Sequence, residues 1–366
     1  MKPFVLYGWH LSYFSGKARC YLQYKGVEFV DQPVNLYTLM RTIKRKTGVV
    51  VMPVLRTPED EWIQDTSVII DRMEARFPER PVLPATPVQR FAAYVMEAWG
   101  DEWWIPMAMH TRWNYPENYA LFEREGGAAL LPGFPGFVQR RAVAIAAKAM
   151  RSKLDAVGAR PAQFAMLNAW LHDMLDLLDS HFSCQPYLLG ERPTLADFAL
   201  VGSMYGHLGR DPWPAREMVA PRKHLRAWID RMAAAPTQAA QSGALLPHDA
   251  IAPTLQAVFA RVFAEFLPLL QGISAQVQAL APAWPAGKPL PRGLQDVAMP
   301  LGAHTFRRTG LPYTLWMAQR CRDIYHAMSP PERAAVAAWL HSLGGEALLT
   351  MHIPRLERRG LRVALA

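Results

Sequence analysis

Two patterns of hydrophobic and polar positions alternate at the start of this chain of 366 residues. Short apolar runs bounded by glycine or polar residues are typical of strands, whereas apolar residues three and four positions apart are typical of helices. In residues 1–77 the two patterns take turns. They predict strands at 3–8, 27–32, 49–55 (VVVMPVL) and 61–64 (EWIQ), and helices at 15–25, 36–46 and 66–77.

The pattern changes after a stiff connection. Residues 78–87, PERPVLPATP, contain four prolines, a composition that favours an extended linker. Beyond it the helical period predominates, and no strand is predicted up to residue 235. The predicted helices are 88–113, 137–156, 161–182, 194–208 and 222–234. We therefore expect an α/β domain at 1–80 followed by an all-helical domain at 81–235.

Residues 236–366 form a third region, for which we predict a helical extension with helices at 250–272, 311–328 and 330–343. Its proline-rich segment 281–293 is either a surface connector or an ordered strap across another domain. Helices of this length are marginal alone, so the extension should pack on residues 88–235. The helix that carries Trp316 either docks over the second domain, caps the cleft or only adds core.

Composition narrows the class of protein. Hydrophobic residues make up 51% of the chain, enough for large cores, and the start lacks the apolar segment and cleavage site of a signal peptide. No run of about 18 uncharged apolar residues predicts a membrane span. We expect a soluble cytoplasmic protein without a membrane partner. The three cysteines, Cys20, Cys184 and Cys321, have no CxxC spacing and are expected to be inert core thiols.

The net charge of +9 raises the question of nucleic-acid binding. The arginines, however, are spread through amphipathic helices, and only 41–46 (RTIKRK) and 355–362 (RLERRGLR) are dense in cations. We expect no nucleic-acid partner. No metal site is predicted either, since a lone pair such as His172 and Asp176 at helical spacing is usually a surface hydrogen bond.

The stretch LYGWHLSYFSGKARC (6–20) joins the first strand to the first helix through a loop with two hydroxyls, Ser12 and Ser15. Unpaired backbone N–H groups and the helix dipole meet at such a junction and favour an anion. A phosphate loop is excluded because Gly8 and Gly16 are too far apart and Ala18 stands where a hydroxyl is needed. Of the two serines, Ser15 is predicted to cap the helix.

These features together resemble the glutathione transferase superfamily, which has a thioredoxin-like N-terminal domain and an all-helical second domain. Ser12 stands at the position of the catalytic serine of the zeta-like class, and Lys17 and Arg19 at its basic pair. VVVMPVL resembles the strand that begins at a cis-proline, here Pro53. QDTSVII (64–70) resembles the acidic-plus-hydroxyl motif, with Asp65 and Thr66 for the usual Glu and Ser. LLGERPTLADFAL (188–200) resembles the family's helix-capping motif, with Thr194 and Asp197 as a structural capping box.

The resemblance implies a glutathione site. Ser12 would stabilise the thiolate, and the backbone of Met52 beside Pro53 would hold the cysteinyl backbone. Asp65 with Thr66 would hold the γ-glutamyl end, and Lys17 would also bind glutathione. Asp in place of Glu shortens the reach by one methylene. Tyr13 and Phe14 replace the Ser-Cys pair that follows the serine in zeta-like enzymes, which argues against the isomerase activity of that class.

The segment 97–119, rich in Trp and Tyr, would face the cleft and the dimer partner in the resembled fold. Its aromatics either line an apolar co-substrate pocket or form ordinary core. We place Trp103, His110 and Tyr7 at the pocket, although Tyr7 also suits a half-buried strand residue, and His110 and Arg112 a solvated face.

The predicted function is that of a glutathione-dependent transferase, with glutathione as co-substrate, a hydrophobic electrophile and a homodimeric assembly. The alternative is a non-catalytic binding or assembly module on the same scaffold, for which the extension and the Asp65 and Thr66 substitutions argue.

Overall fold

The computed structural model describes residues 2–366, and its N-terminal part is built on a four-stranded sheet in the order β2-β1-β3-β4. The strands are β1 (Phe4–Gly8), β2 (Phe29–Pro33), β3 (Val54–Arg56) and β4 (Trp62–Gln64). Strand β1 is parallel to β2 and antiparallel to β3, and β3 is antiparallel to β4. This topology with its flanking helices is the predicted thioredoxin-like domain.

Helices cover both faces of this sheet. They are α1 (Tyr13–Lys25), a π-helical segment (Thr38–Ile43) that continues as α2 (Lys44–Thr47), and α3 (Thr66–Arg76). Helix α1 ends where Gly26 adopts φ 69°, a left-handed conformation that favours glycine. Because side chains alternate along a strand, Leu6 faces the main core while Tyr7 packs with Ile43 and Val54 on the other face.

The second part is helical, as predicted. Its helices are α4 (Pro87–Glu102), α5 (Ile105–Trp113), α6 (Pro116–Leu130), α7 (Gly136–Arg151), α8 (Phe164–Cys184), α9 (Leu195–Ser203), the single turn α10 (Pro212–Pro214) and α11 (Lys223–Ala233). The helix predicted at 88–113 is divided in two at Trp103 and Trp104, just before Pro106, and α6 was not predicted. The capping box is confirmed: Thr194 N donates to Asp197 Oδ2 at 2.9 Å.

The extension contains helices α12 (Gln238–Ser242), α13 (Pro253–Leu280), α14 (Pro312–Ala327), α15 (Pro330–Ser342) and α16 (Ala347–Thr350). It also contains two β-hairpins, formed by β5 (Asp296–Leu301) with β6 (His304–Thr309) and by β7 (Leu356–Arg359) with β8 (Arg362–Leu365). The prediction of a purely helical extension is therefore incomplete. Each hairpin turns at a glycine of positive φ, Gly302 at 59° and Gly360 at 62°.

The extension shares the core of the rest of the molecule. One continuous cluster of buried apolar residues runs from Phe4 to Leu365. Helices α14 and α15 pack on α4, and α13 packs on α8, so the expectation that the extension packs on residues 88–235 is confirmed. Helix α4 is buried from Val88 to Glu102 except at Arg90.

The proline-rich segment stays within the extension. Gly287 N donates to Leu365 O at 2.9 Å and Leu290 N donates to Val363 O at 2.8 Å, so the segment lies along strand β8. Helix α14 and the β7–β8 hairpin, and not this segment, reach the N-terminal domain.

Residues 253–283 are long and apolar enough to cross a membrane by length and composition, but 61% of the apolar window is buried inside the fold. A core helix passes the same test, and α13 is one. Cys20 and Cys321 are buried, as expected, whereas Cys184 is exposed, because it ends α8 at the surface; the expectation of a core thiol is wrong there.

Candidate functional site

Three loops meet at one end of the four-stranded sheet. Strand β1 ends at Gly8, and its Tyr7 pairs with Val54 at the start of antiparallel β3. Val54 in turn pairs with Gln64, the last residue of β4. The loop after β1, the loop before β3 and the turn after β4 therefore lie side by side. They carry Ser12, the Met52-Pro53 bond, and Asp65 with Thr66, respectively.

Ser12 begins helix α1 as its N-cap. Its backbone is extended, with φ −93° and ψ 128°, and its Oγ accepts a hydrogen bond from Ser15 N at 3.3 Å. The prediction that Ser15 is the cap is wrong. Ser15 is buried, and its hydroxyl accepts from Trp9 N at 3.4 Å inside the loop, because that loop curls back over the first helical turn. Ser12 remains half-buried and is the hydroxyl nearer to solvent.

The loop before β3 has the predicted cis peptide bond between Met52 and Pro53, which is confirmed. No hydrogen bond joins the backbone N–H or C=O of Met52 to any of residues 2–366. Met52 is half-buried, whereas Pro53 is buried. A peptide backbone laid along this loop would therefore find a free donor and a free acceptor.

The turn after β4 is different, because Asp65 serves as the N-cap of α3. Its backbone has φ 88°, in the left-handed region, and its Oδ1 accepts from Ser67 N at 2.9 Å and Val68 N at 3.3 Å. The first free amides of a helix are the groups that would bind a ligand carboxylate. Here the carboxylate of Asp65 already satisfies two of them.

The extension covers this turn. The hydroxyl of Tyr313, at the start of α14, donates to Asp65 Oδ2, and Arg358 Nη1 donates to Gln64 Oε1 at 2.5 Å. Burial, with the charge of Asp65, holds the pKa of Tyr313 well above its usual value, so the phenol remains a donor. Thr66 is only 4% exposed. Both carboxylate oxygens of Asp65 thus accept hydrogen bonds from the protein itself.

The side chain of Lys17 points into the interior of the protein and has no exposed surface. Its ammonium is buried between Glu97 Oε1 at 3.0 Å and Asp101 Oδ2 at 2.6 Å of helix α4. Glu97 also accepts from Ser67 Oγ at 2.8 Å and from Arg320 of α14 at 3.1 Å. Burial raises the pKa of Glu97, but Lys17 and Arg320 outweigh it and hold that pKa well below its usual value. This buried network ties α1, α3, α4 and α14 together, and we leave Lys17 out of the proposed ligand site.

The residues predicted for a co-substrate pocket are not brought together. Trp103 has no exposed surface and packs edge-on against Trp170 and against Phe306 of the extension. His110 is 1% exposed, and its Nε2 lies 2.9 Å from Asn168 Oδ1; burial lowers its pKa. These two positions are core, so we do not propose them for the pocket.

Tyr7 is half-buried and stacks on Trp62, with ring centroids 5.2 Å apart, on the face of the sheet turned towards the π-helical segment. This placement matches the alternative of a half-buried strand aromatic, and we leave Tyr7 out of the pocket as well.

Arg112 holds the serine loop in place. It forms a buried ion pair with Asp211 at 2.9 Å, and its Nη1 and Nη2 donate to the carbonyl oxygens of Leu11 and Gly206. The residue next to Ser12 is therefore fixed to the helical domain. The alternative that Arg112 lies on a solvated face is wrong, because the chain folds Asp211 onto it.

Sequence reasoning missed Tyr313, Arg358 and Glu97. Tyr313 and Asp65 are 248 positions apart, and no local pattern connects residues at that separation. Glu97 stands in a run of tryptophans that drew attention to aromatic packing, although a lone carboxylate in an apolar helix is a signal that a buried partner must exist.

Comparison with protein families gives two matches. The model of the glutathione S-transferase N-terminal domain matches residues 6–81, and the model of the glutathione S-transferase C-terminal domain matches residues 140–236. The first match contains Ser12, Met52-Pro53 and Asp65-Thr66, and the second contains the capping box of α9. The extension lies beyond both. No curated protein matches the chain.

The chain is also similar to glutathione S-transferases of solved structure. One from Rhodospirillum rubrum F11 is 17% identical, with 69% of this chain and 97% of that chain covered and a TM-score of 0.42. One from Methylobacterium radiotolerans JCM 2831, in complex with glutathione sulfonate, is 21% identical, with 69% and 100% covered and a TM-score of 0.40. The beta-etherase LigF from Sphingobium sp. strain SYK-6 is 18% identical, with 70% and 99% covered and a TM-score of 0.42.

Because these identities and TM-scores are low, the assignment to a family rests on the two domain matches. Both domains are present, in the expected order. On this basis residues 6–81 and 140–236 are the two domains of a member of the glutathione transferase superfamily.

Proposed function

We propose that the protein binds glutathione at the end of the sheet where Ser12, Met52 and Asp65 meet, and activates its thiol for attack on a hydrophobic electrophile. The observation that carries the proposal is the alignment of the three loops across β1, β3 and β4. Neighbouring strands lie about 4.8 Å apart, so these loops span about 10 Å. An extended tripeptide spans about the same length, roughly 10 Å.

At the thiol end, Ser12 combines two roles. Its Oγ accepts from Ser15 N through a lone pair and keeps its own hydrogen free to donate to a sulfur. The N-terminus of α1 adds a partial positive charge, which favours a thiolate. The thiol proton leaves to solvent, and the sulfur then attacks the electrophilic carbon with its lone pair. With an aryl halide the C–S bond forms as the carbon–halogen bond breaks, and the halide leaves with that electron pair. Each unit by which the thiol pKa falls is worth about 1.4 kcal/mol in favour of the thiolate.

The free N–H and C=O of Met52 would form two hydrogen bonds with the backbone of the cysteinyl residue, in the way that a sheet edge binds an added strand. At the γ-glutamyl end, the ammonium group would reach Asp65 Oδ2 in competition with the hydroxyl of Tyr313. We therefore expect glutathione to be held mainly by its cysteinyl part, with modest affinity.

The test separates binding from thiol activation. Ser12→Ala should leave the dissociation constant of glutathione within about threefold, since one neutral hydrogen bond is lost. It should lower the rate of conjugation of a generic aryl halide at neutral pH by about tenfold or more and raise the pH at which the rate is half-maximal. Ser15→Ala is the matched control, because Ser15 is buried and faces the loop. Absence of both glutathione binding and conjugation in the wild-type protein would refute the proposal.

The second candidate, a non-catalytic binding or assembly module, is favoured by one observation: Asp65 is satisfied on both sides by protein groups. A protein with this function needs no free γ-glutamyl site. A pull-down that returns one stoichiometric partner, equally well with the wild type and with Ser12→Ala, would support it, provided that glutathione does not bind.

Homodimerisation and a cytoplasmic role in detoxification belong to the same proposal as predictions. The predicted dimer uses the first helix of the second domain, but α14 and α15 of the same chain pack on α4. Sedimentation velocity tests the assembly: a mass near 41.2 kDa at all concentrations would show a monomer, and twice that mass a dimer formed through another face.

A further inference from the structure

The helical hairpin of α6 and α7 carries an unusual outer surface. Of the residues of α7, only Val143 and Ala147 are buried, where the helix packs on α6. We define the α7 outer surface by six residues on the opposite side and on the preceding turn: Phe134, Phe137, Arg140, Arg141, Ile145 and Lys148. Positions 137, 141, 145 and 148 share one side of the helix because their spacing follows the helical period.

Three of these side chains are large, apolar and exposed. Phe134 is 55% exposed, Phe137 68% and Ile145 68%. Phe134 and Phe137 flank a Pro-Gly turn in the segment PGFPGF, at the tip of the hairpin. Exposed apolar side chains clustered in this way, with a polar surround, mark an interaction surface.

The same segment is strongly basic. Residues 126–154 contain five cations, Arg140, Arg141, Lys148, Arg151 and Lys153, and no Asp or Glu. Among the ion pairs of residues 2–366, none involves Arg140, Arg141 or Lys148. By contrast, the exposed Arg76 is paired with Glu59 at 2.8 Å. The complementary partner is therefore anionic and apolar at once.

The shape favours a lipid surface over an acidic protein or a nucleic acid. The aromatic side chains stand on the exposed turn at the hairpin tip and at the start of α7, and the cations follow them along the same helix. At a bilayer interface such side chains enter between the headgroups, while arginine and lysine stems lie along them and keep their charges at the anionic phosphates. We propose that the α7 outer surface binds the surface of an anionic membrane. This goes against the expectation of no membrane partner and is independent of the glutathione site.

The experiment uses the full-length protein and flotation with two kinds of vesicle, one of phosphatidylcholine alone and one of equal parts phosphatidylcholine and phosphatidylglycerol. We expect flotation only with the anionic vesicles, weakening as salt is added. Each cation at such a surface contributes about a fivefold factor to partitioning. Partitioning onto the anionic vesicles should therefore fall on the order of 100-fold in the triple variant Arg140→Gln, Arg141→Gln and Lys148→Gln. It should fall about tenfold or more in the double variant Phe134→Ser and Phe137→Ser.

The matched control removes three other exposed cations, Lys223, Lys288 and Arg292, each by substitution with Gln, and should float like the wild type. Hydrogen exchange of the wild type with and without anionic vesicles adds a readout that needs no variant, and protection should centre on residues 132–150.

Three results would overturn the proposal. The first is no flotation with anionic vesicles. The second is an equal loss of flotation in the control and in the triple variant, which would show that binding depends only on the net charge of the protein. The third is a wild-type dimer that Phe134→Ser with Phe137→Ser converts to a monomer, which would assign the surface to a second copy of the chain.

Discussion

The two ends of the candidate glutathione site differ in how far the protein satisfies its own polar groups. At the thiol end, Ser12 keeps a free hydroxyl hydrogen and Met52 has an unpaired backbone. At the γ-glutamyl end, Asp65 caps its own helix and accepts from Tyr313. Both ends come from motifs of the same family, yet only one has donors and acceptors left for a ligand.

The difference has two causes that act together. Asp is shorter than Glu, so the carboxylate of Asp65 turns back onto the amides of Ser67 and Val68 instead of reaching outward. The extension then brings a tyrosine to its remaining oxygen. This half-buried acceptor finds its partner 248 positions away in the chain. A family motif in the sequence is therefore no measure of how much of its site is free.

The largest effect is expected from Glu97→Ala, which breaks the buried ionic network next to the γ-glutamyl end of the site. Glu97 is 1% exposed and joins Lys17, Ser67 and Arg320. Breaking a buried ionic network leaves charges uncompensated, so the free energy of unfolding should fall by about 3–5 kcal/mol in urea denaturation. Glu59→Ala, which breaks an exposed and solvent-screened pair with Arg76, should change the free energy of unfolding little. Similar losses in the two variants would contradict the role given to Glu97.

The next effect concerns pH. Glu102 accepts from Thr314 of α14, and burial raises its pKa from 4.5 to about 7. Because the folded pKa is the higher one, the stabilising contribution is full below about pH 4.5 and is lost as the pH rises through about 7. The free energy of unfolding should therefore fall on the order of 3 kcal/mol from pH 5 to pH 8 on account of this group.

Glu102→Gln tests the assignment, since the amide can still accept from Thr314. Burial likewise raises the pKa of Asp101 to about 7 and that of Asp197 to about 6, so the variant should keep part of the pH dependence, with a shallower slope than the wild type. Denaturation across this pH range measures it, and a slope that Glu102→Gln does not change would rule Glu102 out as its source.

Tyr313→Phe removes the hydroxyl that donates to Asp65 at the γ-glutamyl end of the site. It frees Asp65 Oδ2 for the ammonium of glutathione, and a hydrogen bond to a charged group gained in this way should tighten binding about tenfold in calorimetry. Tyr325→Phe, in the same helix but with its ring against Phe91, is the control and should leave the affinity unchanged. Weaker binding by Tyr313→Phe would mean that the tyrosine completes the ligand site instead of competing for it.

The smallest effect should come from Met52→Ala. The open end offers the backbone of residue 52, which alanine supplies equally well, so glutathione affinity should change by less than about threefold and stability by less than about 1 kcal/mol. A tenfold loss of affinity would show that the methionine side chain itself contacts the ligand.

Local patterns sufficed for the N-terminal domain and for the long helices. A short apolar run next to glycine indicated β1, and Thr194 with Asp197 indicated the capping box, because each depends on residues only a few positions apart. The cis bond at Met52-Pro53 was implied by the resemblance of VVVMPVL to the family's strand. The hairpins were also within reach: β5 alternates exposed and buried residues and turns at Gly302. The arginines of β7 drew attention to charge and obscured the same alternation.

What the sequence alone determined is the set of motifs and their order along the chain: the serine loop, the Met-Pro strand, the acidic-plus-hydroxyl motif at Asp65 and Thr66, and the helical domain that follows. Which of their polar groups are free was decided only in the tertiary structure, where Lys17 meets Glu97, Arg112 meets Asp211 and Tyr313 meets Asp65. A hydrogen bond or ion pair depends on positions in space to within an ångström. Local sequence determines φ and ψ, but it leaves open which distant side chain arrives to complete the pair.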